Sequence, residues 1–443
     1  VEITELFLRN TMDSIFTLKK DVKELESAIQ GMSRMSYDQH PPTRDVTGNN
    51  FPNGAIHIRW ETSGEKWFIP SRSYLRLRCK LTKGDGSTPL VVADNIAPNM
   101  GLCANLFQSA EFRINGKTVS RISDFMPQID ALEHRLNKSD SYLSTLGEST
   151  NFWSESNTER KADTTSDGTG RQLSEFEVTW TPPLSIFKID HAIPSGKFEL
   201  VLNPQTSSAY KLYAIESTGA TKTPGATGDY DFVVDQMYFY ANTVMGERAD
   251  DLTYLLDLEQ TVCQSDKVDN TSFQQKNFDV SPSTYALTVG YQDTRVGSDT
   301  RFSSSKFRTE GDATTIIGDE GLKLNRMFIN YAGQNLPSPD ADPEFVASKD
   351  YTTQRYLESQ VYSGAYFDTG GTESIEKYHE RGSYYYFAWP RDGTDRSTRV
   401  QVHQQFNAAT TTNMRVLLFS HSKQVARVKV ENGRTVDVQL EDA

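Results

Sequence analysis

The chain has few cysteines, no long apolar run and no surplus of positive charge. Cys79, Cys103 and Cys263 are the only three cysteines in 443 residues. They are odd in number, far apart, and none forms a Cys-x-x-Cys pair, which argues against a disulfide framework or a zinc centre. Cys79 falls in phase with Leu75, Leu77 and Leu81 and reads as a small buried hydrophobe. Unpaired thiols of this kind fit a reducing intracellular compartment. No apolar stretch approaches the ~20 residues that span a bilayer as a helix. The net charge of −13 argues against a sequence-independent nucleic-acid binder, which needs a basic stripe to displace counterions from phosphates. Arg59, Arg76, Arg78 and Lys80 lie on early strands and read as solvated outward positions.

Catalytic signatures are missing as well. There is no Gly-rich phosphate loop, no His-Glu-x-x-His and no Gly-x-Ser-x-Gly. Asp340-Ala-Asp342-Pro-Glu344 has the alternate carboxylates of a calcium loop. It lacks the central Gly and distal bidentate Glu, so it reads as a polar, proline-rich turn. His379 and His403 have no partnered base in sequence and read as surface or sheet-face side chains. Trp180, Trp389 and Tyr384-Tyr-Tyr-Phe387 read as core and inter-sheet packing rather than a carbohydrate platform. The expectation is no enzymatic activity, no metal and no cofactor.

What is present is aromatic residues and a period of two. The chain carries 23 Phe and 20 Tyr, side chains that pack well on pleated faces. Tyr74-Leu-Arg-Leu-Arg-Cys-Lys-Leu81 alternates apolar and basic residues strictly, so one face is buried and the other wet. Glu111–Val119 is a hairpin whose Asn115-Gly116 supplies the φ > 0 turn that matches strand twist. Residues 125–137 form a short helix with Phe125, Ile129, Leu132 and Leu136 on one face. Residues 154–171 and 216–229 are polar enough to be long exposed loops.

Much of this pattern occurs twice. Phe112-Arg-Ile-Asn-Gly and Phe328-Ile-Asn-Tyr-Ala-Gly are strand-to-turn segments 216 residues apart. Aromatic strands end at Trp180 and Trp389, 209 apart, and alternating strands begin at Lys197 and Met414, 217 apart. A near-constant offset in an all-β chain predicts two copies of one β-domain. The spacing of the strands, with very long insertions between some of them, suits a jelly roll better than a meander. The fold class is therefore all-β: two consecutive eight-stranded jelly rolls with an N-terminal α-helix and short helices in loops. The expected division is an amphipathic helix over 1–35, a first roll over 50–243, a linker with some helix (Leu252, Leu255, Leu256) over 244–265, and a second roll over 266–443. Near the end, Met414–Phe419, Val425–Val430 and Thr435–Leu440 read as three strands.

The N-terminal segment differs from the rest. Ile15, Leu18, Val22, Leu25, Ile29 and Met32 recur at spacings of three and four, an a/d seam. Gly31 weakens the helix and Pro41-Pro42 forbids its continuation. A helix this short needs an apolar partner: the chain's own sheet, a small coiled coil, a neighbouring subunit or a membrane surface.

Asn105–Val119, followed by a helix-bearing loop, resembles the first roll of double-jelly-roll major capsid proteins. These belong to the adenovirus-like lineage of icosahedral DNA viruses, which includes virophages, polinton-like viruses and giant-virus relatives. Leu184–Pro194 leading into Lys197–Leu202, and the closing Val416–Leu440, are similar to segments of the same family. The resemblance spans roughly residues 50–440 and leaves the N-terminal helix unmatched. It implies a virion protein assembled inside a host cell as a homotrimer of pseudo-hexagonal outline. Its partners would be neighbouring capsomers, penton and minor capsid proteins, and an internal membrane or internal protein at the N-terminal helix, with no sequence-specific nucleic acid. A minor or spike component of a virion, and a non-viral carbohydrate-binding tandem β-sandwich, are the alternatives.

Overall fold

The computed structural model describes residues 35–88, 96–150, 176–214, 230–245, 251–298, 303–307, 324–336, 356–357, 385–388, 398–407 and 414–442, less single positions within these spans. The first half supplies β1 (Met35–His40), β2 (Ile56–Glu61), β3 (Lys66–Lys83), β4 (Ile96–Pro98), β5 (Phe107–Ile114), β6 (Lys117–Ile122), β7 (Phe176–Trp180), β8 (Lys197–Pro204), β9 (Leu212–Ala214) and β10 (Tyr230–Met245). The second half supplies β11 (Thr253–Lys267), β12 (Phe273–Asp279), β13 (Thr284–Asp293), β14 (Leu324–Tyr331), β15 (Gln334–Leu336), β16 (Tyr385–Ala388), β17 (Arg399–Phe406), β18 (Met414–Glu431) and β19 (Arg434–Asp442).

The first half forms two antiparallel sheets, β1-β10-β3-β7 and β2-β8-β5-β6. The second half repeats them as β11-β18-β13-β16 and β12-β17-β14-β15, with β19 added beside β18. Eight strands of one half occupy, in chain order, the same sheet positions as eight of the other. This strand order is that of a jelly roll, in which the chain alternates between two facing sheets. Phe112 and Phe328 fall on the equivalent strands β5 and β14, and Trp180 ends β7, the counterpart of β16. Trp389 lies outside the described residues.

The third proposed match is corrected. Lys197–Leu202 lies in β8, whose counterpart is β17 and not the β18 that begins at Met414. The start-to-start offset is 217 residues for β5/β14 and β6/β15, then falls to 209, 202 and 184 for β7/β16, β8/β17 and β10/β18. The later connections of the second roll are shorter. Alternation looks alike in every half-buried strand, so the pattern alone aligned the wrong pair.

Three boundaries also differ from expectation. Where helix was expected at Leu255 and Leu256, strand β11 runs from Thr253, with Leu256 and Leu258 buried and Leu255 exposed; Leu252 lies outside the described residues. Three leucines fit either period, and pairing with β18 decides between them. The first roll begins before residue 50: β1 pairs with β10, and its polar Met-Ser-Tyr-Asp-Gln-His sequence conceals an edge strand. Met414–Phe419 and Val425–Val430 are one 18-residue strand, because β11 pairs with it along its whole length.

The sequence pattern decides which faces are buried. Leu75, Leu77, Cys79 and Leu81 point into the first roll. They meet a stack of rings around Trp60, whose centre lies 4.8 Å from Phe239, 5.4 Å from Phe68, 5.7 Å from Phe198 and 5.8 Å from Phe112. Each such side chain contributes roughly 1.5–3 kcal/mol on burial. Among the described residues the second core is smaller and largely aliphatic, built on Leu287, Val289, Ile329, Val400, Val402, Val416 and Leu418 with Tyr291 and Phe406. Asn115 (φ 50) and Gly116 (φ 81) close the β5–β6 hairpin, and Asn432 (φ 56) and Gly433 (φ 74) close β18–β19 in the same way. Both pairs have the left-handed backbone that a two-residue hairpin requires.

Candidate assembly surfaces and the seam between the rolls

Helix Met126–Asn137 is buried on nearly every side, including its polar residues Gln128, Asp130, His134 and Arg135. A surface helix would keep those in water. This one lies between the two rolls, where Gln128 and Arg135 reach the second roll, while Asp130 and His134 find partners within the first. Trp180 Nε1 donates to Asp130 Oδ1 at 3.0 Å. Burial raises the Asp130 carboxyl above its ordinary range.

Across the seam, Gln128 donates to Gln292 Oε1 at 3.1 Å, and Arg415 donates to the same oxygen at 2.6 Å. Arg135 donates to the Ser305 carbonyl at 2.5 Å and lies over the Phe307 ring. Ser303 donates to Asn99 Oδ1 at 2.6 Å, and Ser304 to Asn105 Oδ1. These serines follow β13, so a connection of the second roll plugs into the first. Gly297 (φ +88) lies so close to the Tyr210 ring that a Cβ there would meet it at 2.1 Å.

His421 forms the middle of the seam. The Thr261 hydroxyl lies 3.2 Å from Glu133 Oε1 and 3.2 Å from His421 Nδ1. With its single proton donated to the carboxylate, Thr261 accepts from Nδ1–H, which leaves Nε2 to accept from Thr288 at 3.0 Å. Lys188 closes the chain on Glu133 at 2.5 Å. Burial holds the His421 pKa down to about 4.

At the opposite end the C-terminal hairpin clasps the first roll. Thr435 N–H donates to the Ser195 carbonyl at 2.7 Å, Ser195 Oγ to the Gly433 carbonyl at 2.8 Å, and Asn115 Nδ2 to the Thr435 carbonyl at 2.5 Å. Lys117 pairs with Asp437 at 2.6 Å. Thus the β3–β5 and β8–β10 connections of the first roll meet the β13–β14 connection of the second, while the β5–β6 and β7–β8 turns meet β18–β19. The rolls stand side by side with the same end up.

The outward faces differ. On the first roll, Glu199 of β8 accepts from Arg59 at 2.6 Å, His57 at 2.9 Å and Arg113 at 3.3 Å, and Arg113 also holds Glu111. Arg76 pairs with Glu177 at 2.5 Å and Lys80 with Asp235 at 3.3 Å. Cross-strand acids therefore neutralise Arg59, Arg76 and Lys80. The face of the second roll that matches β2-β8-β5 presents Gln275, Asn277, Gln401, Gln405 and Asn330, with His403 stacked on Phe328 at 4.5 Å.

Of the residues singled out from sequence, Trp180 is buried and so is not a ligand platform. Cys79, Cys103 and Cys263 are buried free thiols whose pKa burial pushes well up. His403 is a sheet-face side chain. Ile15, Leu18, Val22, Leu25, Ile29 and Met32 lie outside the described residues, as do His379, Asp340, Asp342, Glu344 and the loops 154–171 and 216–229. Among the described residues no three His, Cys, Asp or Glu side chains stand close enough to hold a metal. Sequence reasoning missed the seam. At Ser303-Ser304-Ser305 the only signal was three small hydroxyls in a row between two strands.

No protein-family model matches the chain, and no curated protein matches it in sequence. Solved structures do match in fold. The mavirus major capsid protein is 10% identical, with 92% of this chain and 90% of that one aligned at a TM-score of 0.52. A chain of the Sputnik virophage structure is 9% identical over 93% and 89%, also at 0.52. A chain of the PBCV-1 virus capsid structure is 11% identical over 93% and 97%, at 0.50. With two rolls in the same strand order, fused along a buried seam, this chain has the double-jelly-roll fold of those capsid structures.

Proposed function

We propose that the chain is a major capsid protein, the structural subunit of trimeric, pseudo-hexagonal capsomers in the shell of an icosahedral DNA virus. The observation that carries this reading is the pair of matched rolls set same end up, in a fold shared over 92% of this chain with the mavirus major capsid protein. Three such chains supply six similar wedges. We take the roll boundary at residues 246–252, between β10 and β11.

The topology supports an orientation. Segments 154–171 and 216–229 leave from the strand ends at which β7 and β10 begin, and Phe176 and Tyr230 pair there with Cys79 and Lys83. Met35 pairs with Val244 at the other end of β10, about 50 Å away for 16 residues at ~3.3 Å each. Ile15, Leu18, Val22, Leu25, Ile29 and Met32 then form an anchor at the inner end, on an internal protein or membrane, while the polar loops face outward. Neighbouring capsomers, penton and minor capsid proteins are the remaining partners. The role needs no catalysis and no cofactor.

Light scattering on the recombinant chain tests the reading. The expected mass is about 150 kDa, three times the 49.9 kDa chain, with hexagonal outlines in electron micrographs. A monomer at micromolar concentration would sink it.

A further inference from the structure

Between β1 and β2, residues 44–55 fold around a charge. The segment has little apolar material: only Val46 and Phe51 are buried, while Thr47, Asn49, Asn50, Pro52, Asn53 and Gly54 are exposed. Compact loops are ordinarily packed by their own side chains. Here the centre is the Arg44 guanidinium, and all five of its N–H donors meet a different main-chain carbonyl each. Nε donates to Ala55 at 3.1 Å. One terminal nitrogen donates to Asp45 at 3.0 Å and Asn50 at 2.6 Å, the other to Phe51 at 2.9 Å and Gly54 at 2.6 Å. No donor remains for a carboxylate.

The rest of the segment keeps those carbonyls aimed at one point. The Asp45 carboxylate accepts from the Thr47 N–H at 2.9 Å, the Thr47 hydroxyl at 2.8 Å and Asn50 Nδ2 at 2.8 Å. Gly48 (φ +53) and Gly54 (φ +89) take the left-handed backbone of the two bends. The N–H groups of Asn50, Phe51 and Asn53 donate to the carbonyls of Thr47, Gly48 and Asn50 at 3.0, 3.2 and 3.2 Å. Phe51 is the foot of the loop: its ring lies 5.9 Å from that of Phe107 and 5.7 Å from the Lys211 ammonium. Converging carbonyl oxygens are a binding arrangement for a cation, and a planar fork of N–H donors fits this one where a point charge would reach fewer oxygens.

We propose that residues 44–55 form a binding site for a guanidinium cation, filled by the loop's own Arg44, and that this internal cation fixes the loop on the free chain. The loop stands at the end of the first roll from which segments 154–171 and 216–229 leave. A Cβ on Gly86, in the turn after β3, would lie 4.0 Å from Asn49 Oδ1, and Lys83 at the end of β3 pairs with Tyr230. Asn49, Pro52 and Asn53 are thus held in one arrangement at that end. A partner that contacts them meets a surface whose ordering cost has already been met. Nothing in this depends on a second copy of the chain.

The test is amide hydrogen exchange of the full chain, read by mass spectrometry on peptides covering residues 43–55, in wild type and in Arg44→Ala. In the variant the loop amides should exchange at least about 10-fold faster, the scale of losing one hydrogen bond to a charged group, while β2 and β3 keep wild-type protection. Guanidinium chloride far below denaturing concentration should restore protection in the variant. Urea, planar and a donor but uncharged, should not restore it at the same concentration, and neither should sodium chloride. Wild-type protection in Arg44→Ala overturns the proposal. So does a loss that guanidinium leaves unchanged, or one that urea or sodium chloride reverses equally well. If Arg44→Ala does not fold, the wild type decides. Loop amides as protected as those of β2 support the internal cation, and exchange as fast as in the urea-unfolded chain overturns it.

Discussion

The two rolls have the same eight strands in the same two sheet orders, yet they are filled and finished differently. Among the described residues, the first is packed with rings around Trp60; the second is mostly Val, Leu and Ile, and it tolerates a buried Gln404 whose amide has no partner there. One outward sheet is laced with ion pairs and its twin is covered with amides. Topology therefore depends on strand pairing and on which alternate residues are apolar, not on the identity of the core. Cores accept different side chains if volume and patterning are kept. What each core side chain contributes to stability is a separate matter, and the rolls should differ there.

The largest expected effect is in the aromatic core. Trp60→Ala should cost the first roll about 4 kcal/mol, the usual scale for deleting a buried ring. Chemical denaturation followed by Trp and Tyr fluorescence should then show the first roll unfolding before the second. A single transition at the wild-type midpoint would mean the Trp60 stack is not what sets the first roll apart.

Next comes the boundary between the rolls. Free His421 takes a proton near 6.5, but in the folded seam not until about 4. Protons therefore favour the unfolded chain, and stability falls as pH drops from about 6.5 to about 4, levelling off below. The full loss is roughly 3 kcal/mol. Urea melts over that window should show the slope in wild type. They should show less of it in His421→Gln, which keeps a donor and an acceptor for Thr261 and Thr288. Equal slopes would place the pH dependence elsewhere.

A smaller effect is expected inside the second roll. The Tyr291 hydroxyl is buried without a partner among the described residues, and burial pushes its pKa far up. Tyr291→Phe removes an unpaired polar group and should stabilise by about 1 kcal/mol in thermal melts. Destabilisation would show that the hydroxyl has a role in that core.

The smallest effect lies on the outward faces. Glu199→Gln should cost at most ~1 kcal/mol, because ion pairs near solvent contribute little. Loss of several kcal/mol would make the charged lattice a structural feature of the first roll alone.

The secondary pattern and the duplication were legible because they are local or nearly so. Leu75-x-Leu77-x-Cys79-x-Leu81 announces its buried face, and Asn115-Gly116 announces its turn. The constant offset held through β5/β14 and β6/β15, where the connections kept their length, and failed at Lys197 because later ones did not. The polar edge strand β1 was hidden, because an edge strand is recognised by its partner rather than by its own side chains.

By itself the sequence determined two β-domains, their half-buried strands and the hairpin turns, since period and φ > 0 chemistry are properties of neighbouring residues. Only the tertiary structure decided which strand matches which, that residues 414–431 form one strand, and that Ser303-Ser304-Ser305, Gln128, Arg135 and His421 are interior. Those residues are polar, and nothing within a few positions of them distinguishes a hydroxyl facing water from one facing Asn99. Partners 160 or more residues away, such as Thr261 for His421 and Asn99 for Ser303, make that difference. The reason is the cost of burying an unpaired polar group, which only a partner brought close by the fold removes.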